Sequence, residues 1–235
     1  MTTCLVCDNQ TKILGTVDLN KSCLDVRNKR IFPKSRYLIE YEECENCGLI
    51  FSPEMCEWPK EKFSNLIYNK EYIKVDKDYL KLRAENCAAD LIERFNHIPL
   101  SHLDYGGGNG YMSKILVNYG WNSVSWDPFV PGNIPDKKFD LITAIEVLEH
   151  HPSPKEFLEN VTKYMGSTSV LLFTTLTSDD IAQPLKWWYL APRNGHIVIY
   201  TNKALSTLFD LFDLKLFKIE DNNNYAAYKI KPKWL

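Results

Sequence analysis

No window of this 235-residue chain approaches the roughly 18–20 uninterrupted apolar residues that a membrane-spanning helix needs. Its opening, MTTCLVCDNQTK, also lacks the basic region followed by an apolar stretch that marks a secretory leader. No membrane partner and a cytoplasmic location are therefore expected. An excess of either charge is missing too: 28 Lys+Arg against 30 Asp+Glu leave a net charge of −2. Proteins held mainly by nucleic-acid phosphates carry a basic face, so a polyanion is a poor default partner. Repeats and low-complexity tracts are absent, and a hydrophobic content of 45% excludes a disordered chain. At this length one domain of about 150–200 residues with a small appendage is expected.

Disulfides are excluded as the organising device, because a reducing compartment keeps thiols reduced and the seven cysteines are an odd number. Their spacing carries the information instead. Cys4-x-x-Cys7 and Cys44-x-x-Cys47-Gly48 form two pairs 36 residues apart, leaving Cys23, Cys56 and Cys87 outside the pattern. Each pair presents two thiolates from one tight turn, and Gly48 lets backbone amides turn toward sulfur without a Cβ clash. This is the spacing of a zinc ribbon with a long insert, which makes Cys4, Cys7, Cys44 and Cys47 candidate ligands of a structural zinc. Four thiolates leave no open position for catalysis. Independent buried thiols and a redox pair are the alternatives. Tyr37, Ile39 and Tyr41 alternate through KSRYLIEYEE (34–43) as in a strand leading into the second knuckle.

The expected domains are a zinc-ribbon-like β module over 1–58, a connector with an amphipathic helix over 59–98, and an α/β domain over 99–235. Pro53, Pro59 and several aromatic residues make 52–75 a packed connector with short helical pieces. From Asp76 to Phe95, Leu80, Ala84, Cys87, Ala88, Leu91, Ile92 and Phe95 recur at helical spacing, which puts Cys87 in a core. Beyond Pro99, short apolar runs alternate with helical stretches, the form of a mostly parallel sheet with crossover helices. Strands are expected at 100–105, 121–126, 139–145 and 169–175, with helices near 109–119 and 154–165. Ser153-Pro154-Lys155-Glu156 is a capping box with Pro at the first helical position, and Gly120 and Gly166 are expected to stop the two helices. A last helix over 201–209 leads into a terminal hairpin: LKLFKIE (214–220), the turn Asn222-Asn223-Asn224, and YAAYKI (225–230).

The strand at 100–105 runs into Asp104-Tyr105-Gly106-Gly107-Gly108-Asn109-Gly110, directly before a helix. Glycines at 106, 108 and 110 let the backbone pass close to a ligand, and the free amides of a helix N-terminus suit a carboxylate or phosphate. Asp127 closes the next strand 21 residues after Gly106, where a carboxylate can accept from both hydroxyls of a ribose. Together LDYGGGNG, SWDP and FDLITAIEVLEHHPSPKEFL resemble the class I S-adenosylmethionine-dependent methyltransferases, over about residues 76–230. The spacing G-x-G-x-G, with an acid two residues upstream, separates this loop from the dinucleotide fingerprint G-x-G-x-x-G. The resemblance implies a Rossmann-like doubly wound sheet and S-adenosylmethionine as cofactor. It also implies Asp104 orienting the methionine ammonium, Gly106 and Gly108 beneath the carboxypropyl chain, and Asp127 on the ribose. Tyr105, Gly110, Glu146 and Glu149 are expected to complete the cofactor loops. From the residues alone, Asp104 as a helix cap and Asp127 as a turn former before Pro128 stay open.

Only 12 residues lie between Asp127 and Asp140, and they include Pro128, Pro131, Gly132 and Pro135, so the family's next helix and third strand do not fit. The sheet is expected to be abridged there, with the adenine against Pro128, Phe129 and the loop after the strand at 139–145. Methyl transfer from a sulfonium is an in-line displacement, so a site must align the nucleophile and accept its proton. His196, in Asn194-Gly195-His196-Ile197, is the expected base, because the resemblance implies a Gly-His before the last helix on the acceptor side. His150, of the Glu149-His150 pair, is the second candidate. A histidine bonded to loop backbone at 196 and a prop for the cofactor loop at 150 are the alternatives. Trp187, Trp188, Tyr189 and Arg193 are candidate substrate residues, although Trp187-Trp188 is equally suited to packing a lid.

A cysteine-rich module before such a domain resembles bacterial methyltransferases acting on nucleotide sugars, surface glycans or small metabolites, which makes a small-molecule or sugar acceptor the expected partner. An RNA-modifying methyltransferase and a non-catalytic binding module of the same fold are the competing readings. The net charge and the acidic run Glu40-Tyr41-Glu42-Glu43 oppose the first. The missing third strand favours the second.

Overall fold

The computed structural model describes residues 2–25, 29–79, 81–95, 97–219 and 223–235. In chain order the elements begin with β1 (Thr11–Asp18), β2 (Leu38–Cys44), β3 (Ile50–Phe51), α1 (Pro53–Cys56), α2 (Lys60–Leu66) and α3 (Leu82–Phe95). They continue with β4 (Ser101–Tyr105), α4 (Tyr111–Asn118), β5 (Asn122–Trp126), β6 (Phe139–Ala144), α5 (Pro154–Thr162) and β7 (Met165–Thr174). The last four are β8 (Val198–Ile199), α6 (Asn202–Asp210), β9 (Lys215–Lys218) and β10 (Asn224–Tyr228). Among the described residues no helix is long and apolar enough to cross a membrane.

Two compact units interleave along the chain. The first takes Met1–Lys77, Leu148–Glu156 and Thr175–Leu208; the second takes Asp78–Val147, Phe157–Thr174 and Phe209–Leu235. Contiguous divisions at 58 and 98 therefore differ from the units, because segments that follow β6 and β7 pack with the cysteine-bearing part rather than with the sheet they leave.

In the first unit the sheet order is β1-β2-β3-β8, antiparallel throughout. β1 and β2 face each other with Thr11 opposite Cys44 and Asp18 opposite Leu38. Ile39 and Tyr41 point inward with the period of two that the sequence carries, whereas Tyr37 precedes the strand. β8 completes the sheet by pairing Ile199 with Ile50 and Val198 with Phe51. The 52–75 connector holds α1 and α2 as expected, with the Ser52 hydroxyl accepting from Met55 N at 3.3 Å and Pro53 at the first helical position.

In the second unit six strands run in the order β5-β4-β6-β7-β10-β9. β5, β4, β6 and β7 are parallel, and β10 lies antiparallel between β7 and β9. Among the described residues no helix or strand lies between β5 and β6, so β5 is the edge and the third strand is abridged. Ala88, Leu91 and Phe95 of α3 and Met112 and Leu116 of α4 share a core with Leu141, Val170 and Ala226 of the sheet. This is the Rossmann-like doubly wound arrangement, its apolar helix stripes buried against parallel strands.

Element ends differ where tertiary pairing intervenes. α3 starts at Leu82 rather than Asp76, and Leu80 lies outside the described residues, as do 220–222 with Asn222 of the hairpin turn. The hairpin itself pairs Tyr225 with Lys218. Gly120 ends α4 at φ +87. Gly166 does not stop α5, which ends at Thr162; it lies inside β7, where Met165 already pairs with Phe139 of β6.

Candidate functional site

β4 delivers the glycine loop. Gly106 N and Gly107 N both donate to the Trp126 carbonyl, at 2.7 and 3.1 Å, so the loop hangs from the end of β5. Gly106, Gly108 and Gly110 stand at φ +77, +56 and +70, left-handed backbone that an L side chain adopts only at a cost. A Cβ at Gly106 would lie 2.6 Å from Val147 Cγ2. Gly107, which the G-x-G-x-G spacing passes over, is the most confined: its Cβ would overlap Asp104 Oδ2 and Ser125 Oγ. At Gly108 nothing lies within 4 Å of the Cβ position, so this is the open side of the loop.

Asp127 forms the turn, its Oδ1 accepting from Phe129 N at 2.8 Å, while its Oδ2 accepts from Gly108 N at 3.0 Å. Pro128 and Phe129 beyond it are exposed. The Tyr105 ring is buried against Trp126 and Phe157, with centroids 4.8 and 5.8 Å away. Glu146 follows β6 at φ +55, held by its N–H to Thr174 Oγ1 at 2.8 Å and by the same hydroxyl donating to its Oε1 at 3.1 Å. Left-handed backbone at a non-glycine residue, one position before the Val147 that packs on Gly106, is the kind of strain that functional loops retain.

Asp104 is buried and does not cap α4, whose N-cap is Gly110 without a side-chain bond. Its Oδ1 accepts from Thr143 Oγ1 at 3.1 Å and its Oδ2 from Ser125 Oγ at 3.4 Å. Thr143 Oγ1 in turn lies 3.0 Å from His102 Nε2, and His102 Nδ1 lies 2.7 Å from Ser123 Oγ. Burial pushes the His102 ring down to about 3, so it is neutral, and pushes the Asp104 carboxyl up to about 7, against the pull of its two hydroxyl donors. Nothing in the glycine pattern announces this polar chain. Its one sequence signal is polar side chains inside apolar strands, His102 in SHLDY and Thr143 in FDLITA.

A family model described as a methyltransferase domain matches residues 79–219, more than half of the chain. The chain belongs to that methyltransferase-domain family. No curated protein matches it. Among solved structures, an O-methyltransferase family protein from Burkholderia thailandensis is 10% identical with a TM-score of 0.51, over 72% of this chain and 61% of its own. CalO1, a methyltransferase in calicheamicin biosynthesis in its SAH-bound form, is 17% identical with a TM-score of 0.47, over 72% and 63%. PigF with SAH is 16% identical with a TM-score of 0.48, over 70% and 60%. The chain thus spans about three fifths of the length of these structures, and at such identity the likeness is one of fold.

Beside its methyltransferase domain the chain gathers four cysteines. Cys4 Sγ and Cys47 Sγ lie 3.6 Å apart, Cys7 Sγ and Cys44 Sγ 3.5 Å, and all four sulfurs fall within 4.8 Å of one another. Four sulfurs about 2.3 Å from one tetrahedral ion stand about 3.8 Å apart, so the cluster fits zinc nearly without adjustment. Amides supply the expected support: Val6 N donates to Cys4 Sγ, and Asn46 N and Cys47 N to Cys44 Sγ, each at 3.4 Å. Of the remaining thiols, burial raises Cys56 to about 12 and Cys87 to about 11, which keeps both inert.

The histidines come together in the first unit. His196 is 4% exposed and its Nδ1 lies 2.6 Å from the Tyr189 carbonyl, so the ring is bonded to loop backbone while Nε2 remains its basic nitrogen. His150 Nδ1 lies 3.0 Å from the Gly195 carbonyl and 3.1 Å from the Tyr68 hydroxyl, with the two imidazole centroids 4.9 Å apart. Glu149 joins this group: it is buried and its Oε1 accepts from the Tyr189 hydroxyl at 2.7 Å.

The expected substrate residues divide. Arg193 is buried, donating to the Ile67 carbonyl at 2.8 Å and Asn69 Oδ1 at 3.3 Å, with its guanidinium 5.0 Å from the Phe32 ring; it braces the 67–69 turn. Trp188 is 49% exposed and Trp187 half-buried. Lys21, which the sequence did not single out, fixes their loop by donating to the carbonyls of Leu185, Trp187 and Leu190 at 3.0, 2.6 and 2.6 Å.

Proposed function

We propose that this chain transfers a methyl group from S-adenosylmethionine to a small molecule, a sugar, nucleotide sugar or surface-glycan precursor, and releases S-adenosylhomocysteine. The observation that carries the reading is the loop itself: confined at Gly106 and Gly107, open at Gly108, and bounded by the carboxylates of Asp104 and Asp127. The cofactor supplies an electrophilic methyl on a sulfonium. The chain's residues bind and orient: Asp104 takes the methionine ammonium, Gly108 and Gly110 leave room for the carboxypropyl chain, Asp127 turns from Gly108 N to the ribose, and Pro128 and Phe129 cover the adenine. His196 and His150 are where the acceptor loses its proton. Cys4, Cys7, Cys44 and Cys47 hold a structural zinc.

Transfer of label from methyl-labelled S-adenosylmethionine into a host extract tests the reading. Label is expected in small molecules or glycan; label confined to nuclease-sensitive material, or none in any fraction, would overturn it. With that assay in hand, His196→Ala is expected to retain cofactor affinity and lose at least about 100-fold in turnover. Turnover near that of the unaltered protein would remove His196 from the proton step.

Asp104 also gives the reading a pH signature. The native state keeps its proton up to about 7, whereas the unfolded chain releases it near the ordinary value of 3.8. The native state thus binds the extra proton, and stability is expected to fall as pH rises through that window. A bound ammonium reverses the preference, because it favours the ionised carboxyl. Cofactor affinity should therefore rise with pH up to about 7 and then level. Titration calorimetry at several pH values should show this slope, and Asp104→Asn should flatten it; an unchanged slope in the variant would assign it elsewhere.

A further inference from the structure

The first unit carries a cleft of about 450 Å³ beside the end of β1, and every residue that lines it belongs to that unit. Its walls are basic: Lys21, Arg30, Lys34 and Arg36 line it, with Asp18 as the one acid among them. Three of the four cations come from KRIFPKSRYLI (29–39), a stretch with four basic residues and no acid in a chain whose net charge is −2. Like charges gathered in this way repel one another unless something of opposite sign is bound among them. With Asp25, 3.9 Å from Arg30, counted beside Asp18, the four cations leave an excess of two positive charges.

Hydrogen bonding separates the cations that build the cleft from those able to bind in it. Lys21 Nζ has committed its three donors to the carbonyls of Leu185, Trp187 and Leu190, and burial lowers it only to about 8, so it still lends charge at neutral pH. Arg30 donates to Asp18 Oδ1 at 2.9 Å and to the Phe32 carbonyl at 3.2 Å. Among the described residues neither Lys34 Nζ nor the Arg36 guanidinium has a hydrogen-bonding or ionic partner, and both residues are exposed. The backbone that carries them is nonetheless fixed. Asp18 accepts from Asn20 N at 3.0 Å, Ser35 N at 3.2 Å and Arg36 N at 3.1 Å, and Asn20 Nδ2 donates to the Pro33 carbonyl at 2.8 Å. Arg36 stands at φ +63, left-handed backbone of the kind that a non-glycine residue retains at binding sites. The same cleft has an apolar wall. Leu38 is 56% exposed, and half-buried Leu185 is seated on Gly15, where a Cβ would stand 2.7 Å from its Cδ1. Unpaired cations and an apolar wall together suit a ligand that is anionic at one end and hydrophobic at the other.

We propose that this cleft binds the phosphate monoester of a small organic molecule, its phosphate on Lys34 and Arg36 and its apolar part against Leu38 and Leu185. A phosphate monoester carries close to two negative charges at neutral pH, which matches the excess of positive charge. The planar guanidinium of Arg36 can pair two N–H groups with two phosphate oxygens, while Lys34 adds a point charge. A segment already held by Asp18 loses little freedom when the ligand arrives. The glycine loop belongs to the other unit, and the cleft stands or falls without the methyl-transfer reading.

The test is titration calorimetry of the full chain with phenyl phosphate and, for comparison, inorganic phosphate. Phenyl phosphate is expected to bind with one equivalent and a Kd at or below about 1 mM, at least about 10-fold more tightly than inorganic phosphate. Arg36→Gly and, separately, Lys34→Ala are expected to weaken it at least about 10-fold. Glycine suits the left-handed backbone at 36, so the first variant should melt no lower than the unaltered protein. Leu38→Ser is expected to remove the advantage over inorganic phosphate without changing the affinity for inorganic phosphate itself. Lys229→Ala, at an exposed lysine of the second unit, is expected to change neither. No binding of phenyl phosphate, or binding unchanged in both charge variants, would overturn the site. Equal affinity for inorganic phosphate would overturn the ester as its ligand. A single-stranded oligonucleotide that binds more tightly than phenyl phosphate through the same two residues would overturn the small molecule in favour of a nucleic-acid backbone. No arm of the test uses S-adenosylmethionine, so methyl transfer can fail while the site holds, and the reverse.

Discussion

Gly107→Ala is expected to weaken S-adenosylmethionine binding at least about 100-fold, about 2.7 kcal/mol, in titration calorimetry. The added methyl falls on Asp104 Oδ2 and Ser125 Oγ, neither of which is the free end of a long side chain. The loop has nowhere to withdraw, because Gly107 N is held by the Trp126 carbonyl at 3.1 Å and its own carbonyl accepts from Gly110 N at 2.9 Å. Relief has to come from Asp104, whose displacement also strips it of the Thr143 and Ser125 hydroxyls. Gly120→Ala is the control, since its Cβ position is open and only the cost of a left-handed residue, about 1–2 kcal/mol, is added. Affinity of the Gly107 variant within threefold of the unaltered protein would mean that the Asp104 carboxyl does not support the cofactor loop.

Cys44→Ser is expected to lower the melting temperature by at least about 10 °C and to abolish the bound zinc, both read on protein never exposed to chelator. Apparent binding free energies of structural zinc in small fingers run roughly 10–16 kcal/mol, which is folding free energy where the site does not persist in the unfolded chain. In the first unit the ion would tie Cys4 and Cys7, ahead of β1, to the end of β2 and the turn after it. Seven register pairs hold β1 to β2, and β3 and β8 are two residues each, so the ion would add a tie to a small sheet. Less than one zinc per chain in the unaltered protein would return the cluster to four independent thiols, three of them buried. A variant melting within about 2 °C of the parent would show that the ion, if bound, adds nothing to the fold.

Much of the chemistry was legible because it is local. A CxxC pair or a glycine loop is set by turns of a few residues, and the backbone freedom of Gly48, Gly106 or Gly110 is a property of the residue itself. The abridged third strand was equally readable, since 12 residues rich in proline and glycine cannot hold a helix and a strand. Ends of elements were less so. Gly166 looks like a helix stop until β6 pairs with Met165 and draws the glycine into β7, where strand pairing outweighs a local propensity.

The candidate site shows the same division residue by residue. Asp104 and Asp127 could be named from their place at strand ends, yet Asp104 as a helix cap and Asp127 as a turn former were both still open. Only the hydrogen bonds separate them: Asp104 reaches Thr143 across the sheet, and Asp127 makes its turn and binds Gly108 N as well. Arg193 is a candidate substrate contact from the sequence, on the loop that also carries Trp187, Trp188 and Tyr189. Its donors are taken by the Ile67 carbonyl and Asn69, more than a hundred residues earlier in the chain.

By itself the sequence determined a glycine loop, a segment too short for a further helix and strand, and two knuckles of cysteine, because each is written in spacings shorter than one element; the methyltransferase reading came from the resemblance those motifs carry. The tertiary structure alone decided that 148–156 and 175–208 leave the parallel sheet to join the cysteine-bearing unit. It alone also brought Glu149, His150 and His196 together and laid His102 and Thr143 beneath Asp104. Those outcomes depend on which apolar faces cover one another and which strands pair over long separations. Such contacts are rewarded only once the whole chain is compact, so no short window of residues encodes them.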